Sequence, residues 1–316
     1  MSVALASRIA RQLIFGGETI RQKVDFGLRS PQQEVDVWLE GLGNPLDVTH
    51  RHLMACAAPL IFGIALDAEH SAGAKSAARM ALRFIEHGET GQLLGEIWLR
   101  FVSSVPAGAR ELCLFEVAGY RNCCLPRLRL WAHYLQYARA RRKAGDRDRD
   151  VPISALEARA MIVFYLCPRP TVLVTADGGN VRNMFPMNLM GPAGDGYFAF
   201  GLNASRMTAP LVDRLRRVVL STVPPEQAPV ISRLGGNHRK SSIEWDQLPF
   251  KTVKPRTVEG PVASFARTVR EMQVEEIRPL GSHMLFVARV TAEERLSQGL
   301  ELFSAHGIYL RRKRKL

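Results

Sequence analysis

The sequence has few features of a secreted, membrane-spanning or disulfide-bonded protein. Its longest apolar run, Leu53–Leu66, is too short to cross a bilayer and is interrupted by Pro59. The N-terminal residues show no apolar stretch followed by a small-residue cleavage site, so we expect a cytoplasmic protein. The five cysteines form no CxxC pair, which favours buried thiols in a reducing compartment, with Cys123 and Cys124 as an alternative redox pair.

Common catalytic motifs are also missing. The chain contains no G-x-S-x-G, HExxH or Walker-type loop, so these hydrolase and nucleotide-binding classes have no support. His50 and His52 lie close together, but no cysteine or carboxylate stands beside them at metal-ligand spacing. We therefore predict no metal site.

The charge of the chain is strongly positive. The composition is 47% hydrophobic and 23% charged, which is ordinary for a globular protein. The chain has 316 residues and is long enough for two domains. The formal net charge is +13, and residues 311–315 read RRKRK. Such a tail can bind nucleic acid or an anionic membrane, but it lacks interleaved aromatic residues, which favours a solvated terminus. The remaining positive charge would suit phosphorylated ligands.

The first half of the chain reads as helical. Ser30-Pro31-Gln32-Gln33 has the pattern of a helix N-terminus, and apolar residues then follow at helical spacing up to Gly43. Similar spacing predicts helices over 35–42, 74–87 and 91–102 and another that begins at Pro126. The polar segment 144–150 is the best linker candidate, so we predict a helical domain at 1–150 and a second domain at 151–316.

The period of the pattern changes in the second half. Ser154 and Glu157 are spaced as a capping box for one more helix, which ends before Pro168. Short, often β-branched runs bounded by Gly or Pro then predict strands over 171–176, 184–190, 196–202, 218–223, 265–277 and 284–290. Strands without long intervening helices favour an antiparallel barrel. No internal repeat is evident in the sequence.

The turn after the strand at 196–202 is the strongest candidate binding site. It reads Asn203-Ala-Ser205-Arg206-Met-Thr208 and leads into a predicted helix over 209–217. Hydroxyl groups, a guanidinium and a helix N-terminus together can hold a phosphate. The alternative is that Thr208 only caps the helix and Arg206 is only a surface charge.

The order of these parts resembles the flavin reductase-like, FMN-binding split-barrel family, over residues of about 165–310. The resemblance also covers SSIEWDQLPF at 241–250, Thr252-Val-Lys254, and the closing hairpin at 274–290 with a histidine before its apolar strand. It implies an α+β fold in which the N-terminal helical domain is followed by an antiparallel split β-barrel.

The resemblance also implies the site residues. Asn203, Ser205, Arg206 and Thr208 fall where the family holds the FMN phosphate. The residues that would pass along the isoalloxazine ring are Asn183, Met184, Pro186, Met187 and Asn188. Two departures bear on the ring contacts: Asn188 replaces a small hydroxyl residue, and Gly194-Asp195-Gly196 replaces Asp-Pro-Pro.

Two histidines remain open to more than one interpretation. His283 stands at the position of the histidine that precedes the apolar strand in the family's closing hairpin, where the resemblance implies a catalytic residue that contacts the nicotinamide or the flavin; alternatively it packs at a barrel rim. His238-Arg239-Lys240 lies in a Gly-rich segment that could form a mobile basic lid, or a solvated loop.

The family resemblance implies an FMN-binding flavoprotein. Such a protein would be a NAD(P)H-dependent flavin oxidoreductase, in which the cofactor carries the redox chemistry. A homodimer is implied, together with a partner oxygenase or another electron acceptor. The alternatives are a non-catalytic flavin-binding protein whose helical domain docks a partner, and a basic nucleic-acid-binding protein.

Overall fold

The computed structural model describes residues 20–89, 91–143 and 152–313. Within these residues the chain forms two seven-stranded antiparallel sheets, one from each half, and a small sheet that joins them. The strands of the first half are β1 (Val24–Leu28), β2 (Val35–Glu40), β3 (Leu46–Asp47), β4 (His52–Ala57), β5 (Leu60–Leu66), β6 (Met80–Glu86), β7 (Leu93–Ala107) and β8 (Arg110–Asn122).

The predicted helical N-terminal domain is wrong, and with it the predicted fold class. Residues 35–42 and 91–102 lie largely in β2 and β7, and half of 74–87 lies in β6. In β2 the side chains of Val35, Val37 and Leu39 are fully buried and alternate with partly exposed ones, which is the period of a strand. The strand is stabilised by its pairing with β3 and β6, which local spacing does not reveal.

Helices flank the two sheets. They are α1 (Ala68–Ser76), α2 (Arg127–Lys143), α3 (Ala155–Phe164), α4 (Thr208–Leu215), α5 (Ala228–Arg233) and α6 (Gly307–Lys313). The predicted helix after Pro126 is confirmed as α2. The predicted capping box is confirmed in α3, where Ser154 Oγ accepts from the Glu157 N–H and Glu157 accepts from the Ser154 N–H. None of the described helices has the length and apolar composition needed to cross a membrane.

The second half forms the other large sheet. The strands of this half are β9 (Arg169–Pro170), β10 (Val172–Asp177), β11 (Arg182–Met187), β12 (Met190–Gly194), β13 (Tyr197–Asn203), β14 (Arg217–Thr222), β15 (Thr252–Val253), β16 (Val262–Ala263), β17 (Thr268–Leu280), β18 (His283–Arg295) and β19 (Glu301–Ala305). Of these, β15 and β16 form a separate two-stranded sheet. The six predicted strands correspond to β10, β11, β13, β14, β17 and β18, with shifted ends. The spatial order in the large sheet is β11-β10-β14-β17-β18-β13-β12.

The two halves are joined by strand pairing and by packing. β1 pairs with β19, which pairs with β9, so a small sheet contains strands from both halves. A buried apolar cluster also combines β4, β5, β7 and β8 with β12, β13 and β18. The predicted linker at 144–150 lies outside the described residues, so the division into domains near residue 150 stays a prediction.

Candidate functional site

The turn after β13 closes on itself through Asn203. Its side-chain oxygen Oδ1 accepts from both the N–H of Ser205, at 2.9 Å, and the hydroxyl of Ser205, at 2.8 Å. The Arg206 N–H donates to the Asn203 carbonyl at 3.0 Å. Asn203 therefore fixes the backbone of the turn, while the exposed Ser205 hydroxyl needs only a rotation to turn toward a ligand.

Thr208 has a role that differs from helix capping. Met207 occupies the N-cap of α4 without a side-chain cap hydrogen bond, and Thr208 is the first helical residue. The Thr208 side chain is fully buried, and its Oγ1 lies 3.1 Å from His238 Nδ1. The alternative in which Thr208 merely caps the helix is therefore wrong.

His238 connects the two parts of the predicted site. Its Nε2 lies 2.8 Å from the Pro186 carbonyl in β11, so this nitrogen is the donor. Burial lowers the pKa of His238, which keeps the ring neutral, and Nδ1 therefore accepts the Thr208 hydroxyl proton. Through this one ring, the predicted phosphate turn is hydrogen-bonded to the strand predicted to lie along the flavin.

Positive charge is concentrated beside the turn. The pKa of Arg206 is lowered by partial burial and by the positive charge of Arg239. Arg206 in turn contributes to the lowered pKa of His238. Arg239 lies close enough to Arg206 to lower its pKa, so these two like charges repel each other. An anion bound beside both side chains would relieve this repulsion. The donors and charges of this turn are therefore suited to a phosphate monoester.

Asn183 and Met184 make their described side-chain contacts inside the protein. The fully buried Asn183 amide donates to the carbonyls of Asn237, at 3.0 Å, and Lys240, at 2.9 Å. The Asn237 amide returns a hydrogen bond of 2.9 Å to the Met184 carbonyl, and the Met184 side chain packs in an apolar cluster. These contacts anchor the segment 234–240 to β11, so a mobile lid is not what this segment forms.

Pro186, Met187 and Asn188 lie along a small cavity. Its volume is about 180 Å³, and Lys23, Thr171 and Ser232 are among its other lining residues. Met187 is buried, whereas Pro186 and Asn188 are partly exposed. The end of β11 is thus partly open to solvent, whereas its beginning is buried, and the ring contacts of these residues stay predictions.

His283 lies next to Asn203 across the sheet. The two residues are paired in the β13–β18 register. His283 Nδ1 is 2.8 Å from Ser282 Oγ and 3.7 Å from the Cys56 sulfur of the first half. Burial lowers the pKa of His283 to about 4, so the ring is neutral at physiological pH. It can donate or accept a hydrogen bond there but cannot supply a positive charge.

A second cavity lies between the two halves. It has a volume of about 260 Å³ and is lined by Gln32, Thr49 and His52 of the first half and by Arg169 and Phe198 of the second, among others. The buried Arg169 donates to His52 Nε2 at 3.0 Å and to the carbonyls of His52 and Met190 at 2.8 and 3.2 Å. His52 is thus a hydrogen-bond acceptor for Arg169. Across the described residues, no group of three or more His, Cys, Asp or Glu side chains is placed to hold a metal ion.

The structure thus brings together Asn203, Ser205, Arg206, Thr208 and the end of β11, with His283 on the neighbouring strand. Sequence reasoning missed the linking role of His238, which stands thirty residues after Thr208. Its Gly-rich surroundings favoured a loop, and no local spacing pattern relates it to the turn.

Residues 164–312, a little less than half of the chain, match the family model described as the flavin reductase like domain. The predicted resemblance to the flavin reductase-like family is confirmed over this part of the chain. No curated protein matches the sequence.

Several solved structures are similar to the chain at low sequence identity. An FMN-binding protein from Thermus thermophilus is 22% identical, with 44% of this chain and 86% of that chain covered and a TM-score of 0.37. An NADH:FAD oxidoreductase of Streptomyces globisporus C-1027 is 14% identical, with 51% and 90% covered and a TM-score of 0.42. The styrene monooxygenase flavin reductase of Pseudomonas putida S12 is 18% identical, with 48% and 94% covered and a TM-score of 0.39.

Proposed function

We propose that the chain binds FMN through the turn at Asn203–Thr208 and uses it to oxidise NAD(P)H. The observation that carries the proposal is the cluster of Arg206, Arg239 and the His238–Thr208 pair beside a hydroxyl-bearing turn. The flavin reductase like domain at 164–312 supports the same cofactor class. Bound FMN would supply the hydride acceptor, so the protein's tasks are binding, orientation and exclusion of water.

Different residues of the candidate site would perform these tasks. Arg206 would bind the phosphate with charge-assisted hydrogen bonds, and the Ser205 hydroxyl would rotate from Asn203 to join it. Pro186, Met187 and Asn188 would lie along the ring, with His238 fixing the distance between ring strand and phosphate turn. His283, neutral and on the strand next to Asn203, would contribute a hydrogen bond near the ring or the nicotinamide.

Phosphate binding is tested by comparing FMN with riboflavin, which lacks the phosphate. Arg206→Ala should weaken FMN binding by ~1.5–3 kcal/mol, or roughly 10- to 150-fold, because a charge-assisted contact is lost. Riboflavin binding should change little. Arg214→Ala, on an exposed position of the same helix, is the matched control and should leave both affinities unchanged. Equal losses for FMN and riboflavin by fluorescence titration would contradict a phosphate role for Arg206.

Turnover is tested by anaerobic reduction of the bound flavin. NADH or NADPH should bleach the oxidised flavin band, and dithionite serves as the control that the flavin is reducible. If only dithionite bleaches the band, the chain is a flavin-binding protein without its own NAD(P)H oxidation. Titration with FAD in parallel distinguishes the two flavins. A partner oxygenase, a cytoplasmic location and a homodimer stay predictions from the family resemblance.

A further inference from the structure

The two large sheets have the same strand order. In space the first reads β3-β2-β6-β7-β8-β5-β4, and the second reads β11-β10-β14-β17-β18-β13-β12. Each strand of the first sheet has a counterpart in the second: β2 with β10, β3 with β11, β4 with β12, β5 with β13, β6 with β14, β7 with β17 and β8 with β18. Counted along the chain, the fourth strand of each sheet is followed by a helix: α1 follows β5, and α4 follows β13. The same chain path is thus present twice.

The long hairpins β7–β8 and β17–β18 agree residue by residue. Each has two register shifts, and both shifts in the second hairpin lie 173 residues after their counterparts in the first. They fall at Trp98/Leu99 and Phe101/Ser103, and at Glu271/Met272 and Val274/Glu276. The turn glycines Gly108 and Gly281 have the same separation and similar positive φ values of 65° and 54°. Such irregularities persist within protein families, so their repetition indicates duplication of one ancestral unit.

The halves pack against each other in a symmetrical way. β4 contacts β12, β13 and β18, whereas β12 contacts β4, β5 and β8. Exchanging each strand for its counterpart converts the first set of contacts into the second. This is the pattern of an isologous interface, in which the same surface of two equivalent units is used twice.

Individual residues at the interface follow the same symmetry. The tip of each long hairpin contacts the short hairpin of the other half: a Cβ on Gly108 would lie 2.5 Å from the Tyr197 ring, and one on Gly281 would overlap Pro59 and the Ala58 carbonyl. The apolar cluster between the halves contains counterpart pairs, Leu112 with Leu285 and Leu114 with Val287.

The candidate phosphate turn is not repeated. In the second half β13 leads into Ser205 and Arg206 before α4, whereas in the first half β5 leads into Asp67 and Glu69 at the start of α1. Asp67 caps α1 by accepting from the His70 N–H at 2.9 Å. Two carboxylates at this helix N-terminus would repel a phosphate, so the first half lacks the binding chemistry of the second.

We infer that residues 35–122 are a second, altered copy of the flavin reductase unit, and that they act as a built-in partner for the copy at 164–312. In place of the homodimer that the family resemblance implies, the chain is then an intramolecular pseudo-dimer with one cofactor site instead of two. The cofactor part of this inference rests on the proposed function, whereas the pairing of the halves does not.

The first test measures mass and stoichiometry on the full chain. Light scattering with sedimentation should give the mass of a single 35.2 kDa chain, and saturation with FMN should give one flavin per chain. Asp67→Asn should leave the stoichiometry at one. A particle of twice the mass would overturn the built-in pairing, and two flavins per chain would overturn the loss of the first site. No flavin binding with a single-chain mass would refute the proposed function and leave the pairing intact.

The second test examines the interface directly. Gly281→Ala places a methyl group against Ala58 and Pro59 of the other half, whereas Gly179→Ala has a similar positive φ of 78° and open space around it. The strain of a left-handed backbone is therefore matched between the two variants. Gly281→Ala should lower the thermal midpoint by roughly 2–4 °C more than Gly179→Ala, the shift expected for modest overpacking in a protein of this size. Equal shifts would contradict close packing of the two halves at this hairpin tip.

Discussion

Acid sensitivity follows from three histidines that the fold buries in neutral form. His133, His283 and His306 are 4%, 7% and 3% exposed. Burial lowers their pKa values to about 4, about 4 and about 3. His133 and His306 lie together, with ring centroids 5.3 Å apart, and the His133 ring nitrogens have no hydrogen-bond partner within the described part of the chain. Protonating either ring would place a charge in an apolar setting.

The sign and size of the effect follow from proton linkage. An unfolded histidine has a pKa of about 6.5, so between pH 6.5 and about 4 the unfolded state binds more protons than the folded state. Stability is therefore lost as the pH falls through this window. At pH 5, about 1.5 units below the unfolded pKa, each ring lowers the free energy of unfolding by ~2 kcal/mol, because one pH unit corresponds to 1.36 kcal/mol. The three rings together account for ~6 kcal/mol. That is comparable to the whole stability of many proteins.

Urea unfolding at pH 7.5 and pH 5.0 measures this loss. His133→Leu removes one titrating ring without removing a hydrogen bond, and should reduce the loss of unfolding free energy between the two pH values by ~2 kcal/mol. Leu128→Ala, at an exposed position of the same helix, removes no titrating group; it is the control and should leave the dependence unchanged. A free energy of unfolding that is the same at both pH values would refute the reasoning.

Two further substitutions test individual contacts. Thr208→Val preserves the shape of the side chain but leaves His238 Nδ1 without its donor; we expect ~1–2 kcal/mol lower stability by urea unfolding and weaker FMN binding, both restored by Thr208→Ser. Arg169→Met leaves the carbonyls of His52 and Met190 and the ring nitrogen of His52 without a donor, and should cost ~2–5 kcal/mol of stability. Unchanged midpoints in urea would show that these buried hydrogen bonds contribute nothing net.

The second half was predictable in outline because its strands carry clear boundaries. Short β-branched runs bounded by Gly or Pro located β10, β13 and β14 to within a few residues. The first half was not predictable in this way. In β2, Val35, Trp38 and Leu39 fit a helical spacing, whereas Val35, Val37 and Leu39 fit a strand, and the choice depends on partner strands elsewhere in the chain.

The candidate site shows the same division between local and long-range information. Hydroxyls and a guanidinium before a helix marked the turn at 203–208, because one short segment contains them all. The His238 contact and the pairing of Asn203 with His283 join residues far apart in the sequence, so only the folded chain reveals them. The duplication escaped detection for a related reason: strand order and bulge positions were retained while most side chains changed.

The pairing of β1 with β19 has a consequence for how the chain folds during synthesis. Val24 lies opposite Ala305, so β1 leaves the ribosome some 280 residues before its partner. At a synthesis rate of ~5–20 residues per second, β1 waits roughly 15–55 s with its edge unpaired. The first large sheet can form within this time, since its strands all lie before residue 123. The small sheet that joins the halves can close only after β19 has been synthesised, which makes it a late step in the folding of these residues.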